Sequence, residues 1–190
     1  MKHVPNILGI ARVIGAAPLY WLISIAQPWA DATAAAVLLL MAASDIVDGW
    51  LARRLGVVSP LGVFLDTISD KIFVVAALVP LAERGLFPGW MVTAILIREF
   101  AVSGLRAYAG SAGVVIAAGS WGKQKQTLIV AALVWCLVAA ALGPADPAWL
   151  ATIASIWPGV LWLALLWTVG SGIEYFFGAR ALLLGRGGTS

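Results

Sequence analysis

Charge is scarce in this chain. Only 11% of its 190 residues are Asp, Glu, Lys or Arg, while 62% are hydrophobic. Soluble domains carry about a quarter charged residues, so an aqueous globular domain is excluded. A mean hydropathy of +0.99 points to an integral membrane protein. Cysteine is nearly missing too: Cys136 alone cannot close an internal disulfide, and its apolar neighbours mark it as a small packing residue. The one histidine, His3, lies in the N-terminal tail. Without a His/Cys set, the usual zinc ligand combinations are absent. The net charge of +3 is modest, and no nucleic-acid partner is expected.

What is present in quantity is apolar sequence. A helical span needs about 20 mainly apolar residues. Six candidates follow, at Asn6–Ala26, Ala32–Arg54, Pro60–Leu81, Pro88–Tyr108, Thr127–Leu142 and Trp149–Phe177. The expected fold is therefore all-α, with six transmembrane helices in a single domain over residues 1–190. The first stretch follows Lys2 and precedes Ala30-Asp31-Ala32, a cleavage-like pattern. It is long for a signal core and contains Arg12, so it reads as a retained helix. Gly56, Gly85 and Gly143-Pro144 supply breaks, and Ser59-Pro60 supplies a cap and a first helical residue. The longest connection runs from Gly110 to Lys125; the fifth run is short enough for its helix to start nearer Lys125, and Pro158 implies that the long sixth span is kinked or preceded by a short interfacial piece.

Lysine and arginine set the orientation. Lys2, Arg53, Arg54, Arg106, Lys123, Lys125, Arg180 and Arg186 fall on one side, and only Arg84 on the other, beside Asp31, Glu83 and Asp146. Both termini are thus expected in the cytoplasm.

Against this background four aspartates stand out: Asp45 and Asp48 near the cytoplasmic end of span two, and Asp66 and Asp70 in the first turns of span three. Carboxylates near lipid are costly and mark function by default. Spacings of three and four place each pair on one helix face. The short loop makes the two spans antiparallel, so their acidic faces are expected to meet. Four adjacent carboxylates raise one another's pKa unless a cation joins them. Oxygen-only ligands favour a hard ion such as Mg²⁺, Mn²⁺ or Ca²⁺. Such a site suits phosphate chemistry, with two ions able to clamp a displacement. The competing structural reading is an ion-pair network with Arg53, Arg54 and Lys71.

The set Asp45-x-x-Asp48-Gly49-x-x-Ala52-Arg53, then Gly62-x-x-x-Asp66-x-x-x-Asp70, resembles the signature of the CDP-alcohol phosphotransferases. The resemblance implies six helices, a homodimer, and transfer of a substituted phosphate from a CDP-linked donor to an alcohol with release of CMP. It implies Asp45, Asp48, Asp66 and Asp70 as the metal set, with two Mg²⁺ or Mn²⁺ ions, and Asp70 also as catalytic base. Gly49, Ala52, Arg53 and Gly62 are implied at the donor pocket.

Further segments are similar to the branch of that family whose acceptor is glycerol 3-phosphate and whose donor is CDP-diacylglycerol. They are Pro5-Asn6-Ile7-Leu8 with Arg12, Leu65 to Lys71, Arg98-Glu99-Phe100-Ala101-Val102-Ser103-Gly104-Leu105-Arg106, and Gly122-Lys123-Gln124-Lys125. The usual Lys-Thr step reads Lys125-Gln126-Thr127 here, and Ile129 replaces a common glutamine. Arg98 and Arg106, with Lys123 and Lys125 from the loop, are the expected acceptor-phosphate ligands, since guanidinium groups bind phosphate bidentately. Glu99 is a candidate to orient an arginine or a glycerol hydroxyl. The expected setting is a bacterial-type inner membrane, with membrane lipid around the chain and the site facing the cytoplasm.

Two other readings remain open from sequence. One is a sibling enzyme using inositol phosphate, phosphatidylglycerol, serine or choline. The other is an ion or proton carrier built on intramembrane acids, although no matching acidic set lies on the opposite side.

Overall fold

The computed structural model describes residues 4–55, 60–111, 114, 120–143, 152 and 154–180. Within its helices, the side chains of residues 4–8, 45, 46, 48–53, 55, 60, 61, 63, 66 and 120–123 lie outside the described set. Among the described residues the chain is all-helical, with α1 (Val4–Ser24), α2 (Pro28–Leu55), α3 (Pro60–Glu83), α4 (Gly89–Ser111), α5 (Ser120–Leu142) and α6 (Trp157–Gly178). Each expected span falls on one of these helices.

Two boundaries differ most from the sequence expectation. Helix α5 begins at Ser120 rather than Thr127, which puts Lys123 and Lys125 on a helix and not in a loop. An apolar-run criterion misses such a start, because Lys and Gln are good helix formers that carry no hydropathy signal. Helix α6 begins at Trp157 rather than Trp149, after a turn at Ile156. Pro158 occupies its first turn and so opens the helix, where a proline's missing N–H costs nothing.

The glycine stops behave as local chemistry dictates. Gly85 has φ of 71° and donates to the Ala82 carbonyl, while Leu86 donates to the Leu81 carbonyl. This double closure of α3 needs a left-handed residue. Gly143, with φ of 58°, ends α5 through a single bond to the Ala139 carbonyl.

Helix α1 packs most extensively on α3 and also touches α2; α5 lies against α2 and α6; α4 rests mainly on α6. Gly9 permits the α1–α3 approach, since a Cβ there would sit 3.1 Å from the Leu65 Cβ. Leu19, Ile23, Leu38, Phe73, Leu78, Leu133 and Leu137 form a core that is essentially inaccessible.

One end of the bundle is tied by polar and aromatic contacts. Arg84 Nη2 donates to Asp31 Oδ2 at 2.8 Å and Arg84 Nη1 to the Ile23 carbonyl at 2.9 Å. The Tyr20 hydroxyl donates to Glu83 at 2.9 Å. Phe87 stacks on Trp157 with centroids 5.4 Å apart, and Trp90 meets Trp162 at 5.6 Å. The C-termini of α1 and α3 and the N-termini of α2, α4 and α6 therefore gather here. The candidate functional residues lie toward the other end.

Candidate active site

Asp70, on the first half of α3, keeps 34% of its side chain exposed, and Arg12 of α1 lies 3.5 Å from its Oδ1 while being 4% exposed itself. An unpaired buried guanidinium is costly, so a carboxylate neighbour is what Arg12 requires. Positions 45, 48, 49, 52 and 53 are helical in α2 and position 66 in α3. The side chains of Asp45, Asp48, Ala52, Arg53, Asp66 and Lys123, like the surroundings of Gly49, lie outside the described residues. Gly62 lies on the first turn of α3 and is half-buried.

The basic half of the site is described in detail. Arg98 is 8% exposed and is held by α6: its Nε donates to the Thr168 carbonyl at 3.1 Å and its Nη2 to Ser171 Oγ at 2.9 Å. Its Nη1 donates to Glu99 Oε1 at 3.0 Å. Lys125 of α5 donates to the same Glu99 oxygen. Glu99 thus ties α4 to α5 and shares its charge between two cations. Arg98 can lie this close to α6 because Gly172 has no side chain; a Cβ there would meet the Arg98 Cγ at 2.9 Å.

Nearer the end of α4, Arg106 donates to the Tyr175 hydroxyl, with its Cζ 4.8 Å from the centroid of the same ring. Lys71 donates to the Thr67 carbonyl at 2.8 Å. It is also within electrostatic range of Asp70, Glu99, Arg98 and Arg106. An apolar groove of about 650 Å³ opens beside Arg98 between α4 and α6, bordered by Ala94, Ile97, Val169, Ile173 and Phe176, with Arg180 also on its rim.

Structure thus brings Arg98, Glu99 and Lys125 into contact and places Arg106 on the same α4–α6 side of the bundle. Arg98 and Lys125 share the single carboxylate of Glu99, and guanidinium and ammonium groups so placed can take up an anionic ligand.

Thr168, Ser171, Gly172 and Tyr175 were not legible as site residues. They sit in an apolar helix that reads as a plain span. The signal in it was their spacing, which repeats at three and four residues and so defines one face. Ile129, 2% exposed, belongs to the core.

Comparison with known proteins agrees with this arrangement. A sequence profile described as CDP-alcohol phosphatidyltransferase matches residues 2–170. The chain is 36% identical over 192 residues to the CDP-diacylglycerol–glycerol-3-phosphate 3-phosphatidyltransferase of Bacillus subtilis (strain 168), covering 93% of this chain and 94% of that protein. It is 31% identical over 191 residues to the protein of the same name from Escherichia coli (strain K12), covering 96% and 97%. A shorter match, 39% over 99 residues, joins it to a CMP-forming cardiolipin synthase of Streptomyces coelicolor, covering 50% of this chain and 46% of that protein. A profile that spans most of the chain and relatives that align nearly end to end leave one conclusion: this chain belongs to the CDP-alcohol phosphatidyltransferase family.

Proposed function

We propose that this chain is a phospholipid-synthesising enzyme that transfers the phosphatidyl group of CDP-diacylglycerol to glycerol 3-phosphate, giving phosphatidylglycerophosphate and CMP. The observation that carries this reading is the set of cations Arg98, Arg106 and Lys125 held by Glu99 and α6, in a chain aligned almost throughout with relatives named for that reaction. A small acceptor bearing its own phosphate matches such a cluster; serine and choline do not need it.

In this reading Asp70 accepts the proton of the acceptor hydroxyl. The freed oxygen attacks the phosphorus that carries diacylglycerol, the bond to the CMP oxygen breaks, and CMP leaves. Gly49, Ala52, Arg53 and Gly62 line the donor pocket. Arg98, Arg106, Lys123 and Lys125 hold the acceptor phosphate. Glu99 keeps Arg98 and Lys125 in place when no phosphate is bound. Positioning and charge neutralisation carry most of the acceleration, as in other phosphoryl transfers.

The donor set fits a hard divalent ion. Asp45, Asp48, Asp66 and Asp70 offer only oxygen, and the Asp70 carboxylate is partly open rather than locked in the core. Two Mg²⁺ or Mn²⁺ ions held there would neutralise the diphosphate of the donor.

The setting proposed is a bacterial-type inner membrane, crossed by all six helices of one domain over residues 1–190. Both termini and the site would face the cytoplasm, and the chain would work as a homodimer. In support, two helical stretches, Gln124–Leu142 and Trp157–Gly178, are long and apolar enough to cross a bilayer. Ile14, Trp21, Leu40, Ile97, Leu166 and Phe177 are 62–70% exposed, a perimeter that suits lipid better than water. Family membership leaves the ion-carrier reading without a supporting observation.

The partial match to a cardiolipin synthase favours one second reading, with phosphatidylglycerol as acceptor. An acceptor panel separates the two. Purified protein in detergent, given CDP-diacylglycerol and Mg²⁺, should release CMP with glycerol 3-phosphate. It should not do so with phosphatidylglycerol, inositol phosphate, serine or choline. CMP release with phosphatidylglycerol and none with glycerol 3-phosphate would replace the first reading by the second.

A further inference from the structure

We infer that Tyr175 is a positioning residue for Arg106, and that it sets this arginine for an anionic acceptor before the acceptor arrives. The inference rests on the proposed role of Arg106 at the acceptor phosphate.

Arg106 is exposed near the end of α4, where a long side chain samples many rotamers. Tyr175 is the opposite case, 5% exposed and fixed by the packing of α6. One ring contacts the guanidinium in two ways. Its hydroxyl accepts from Arg106 Nη2, and its face lies 4.8 Å from Cζ. A hydrogen bond fixes the direction of one N–H, and a cation–π contact fixes the plane's distance. A buried phenol also needs a partner for its oxygen, so the restraint works in both directions.

The contrast with Arg98 gives the arrangement its meaning. The same face of α6, one turn earlier, holds Arg98 through the Thr168 carbonyl and Ser171, but Glu99 neutralises that cation. Among the described residues Arg106 forms no ion pair. Its support is a neutral ring, which orders the side chain without spending its charge. A phosphate reaching Arg106 meets a whole positive charge already in place, and need not displace a carboxylate or immobilise a free side chain.

Tyr175→Phe tests this cleanly, because it keeps the ring and removes only the oxygen. The expected result is a roughly three- to tenfold rise in KM for glycerol 3-phosphate. The KM for CDP-diacylglycerol and the thermal midpoint should hardly move. Tyr175→Leu, which removes both contacts, should raise the acceptor KM further. Should the leucine variant fail to fold, the phenylalanine variant carries the test alone. Arg106→Gln is the companion measurement, and adding Tyr175→Phe to it should cause no further rise. An acceptor KM unchanged in Arg106→Gln overturns the reading of Arg106 and the inference with it. A raised KM in Arg106→Gln with none in Tyr175→Phe overturns the inference alone. So does a Tyr175→Phe variant whose only defect is lower stability, since a mere helix staple predicts that.

Discussion

Asp70→Asn should lower kcat by about a thousandfold, the scale of a lost general base, while the variant still folds and still binds CDP-diacylglycerol. The substitution is nearly isosteric and removes one negative charge. Asp70 is the only one of the four aspartates whose side chain is described, and it is partly open to the site. Its neighbour Arg12 is buried and loses a counter-charge in the variant, so a modest drop in thermal midpoint should accompany the loss of turnover. Steady-state CMP release and equilibrium donor binding separate the two effects. Turnover within a few-fold of the parent would remove Asp70 from the base role.

The second large effect lies at the opposite end and concerns stability. Asp31→Ala should cost about 3 kcal/mol, the lower end of what is lost when one partner of a buried ion pair is removed. Asp31 is 1% exposed, and Arg84 reaches both it and the Ile23 carbonyl. Hydrogen bonding to Asp31 raises the Arg84 pKa further above its already high ordinary value. The arginine therefore stays charged after the substitution and is left beside an apolar core. Thermal unfolding in detergent should show the loss, with kcat per folded molecule unchanged, because the contact lies away from Asp70 and the arginines. Replacing both residues with leucine should be milder than Asp31→Ala. An Asp31→Ala variant as stable as the parent would contradict the tie between α1, α2 and α3.

Much of this architecture was readable before any coordinates. Apolar run lengths pointed to the six helices of the described residues, because a run of apolar residues long enough to span also suffices for a long helix. Gly85 and Gly143 gave true stops, because each needs a left-handed backbone. The start of α5 was legible only as far as Lys125, since the residues from Ser120 to Gln124 add no hydropathy to mark a helix. The break ahead of α6 was readable from Pro158, and the turn at Ile156 that follows helical residues 152, 154 and 155 matches a short piece before the sixth span.

At the site, the residue types were legible and their partners were not. Arg98 looked like a free phosphate ligand because depth alone makes an arginine suspect. Its ties to Thr168 and Ser171 depend on how α6 is rotated, which no local pattern in α4 encodes. Glu99 was a candidate for orienting an arginine, and it does accept from Arg98. Its second partner, Lys125, required the helical start of α5. The aspartate signature belongs to sequence: the side chains of Asp45, Asp48 and Asp66 lie outside the described residues, and their roles rest on spacing and family.

The central claim is that the phosphatidyl group passes to glycerol 3-phosphate. Supplying isotopically labelled glycerol 3-phosphate with CDP-diacylglycerol and Mg²⁺ tests it most directly. The expected outcome is label in the chloroform-extractable lipid in one-to-one proportion with released CMP. CMP release with no label in lipid, or labelled lipid without CMP, would contradict it.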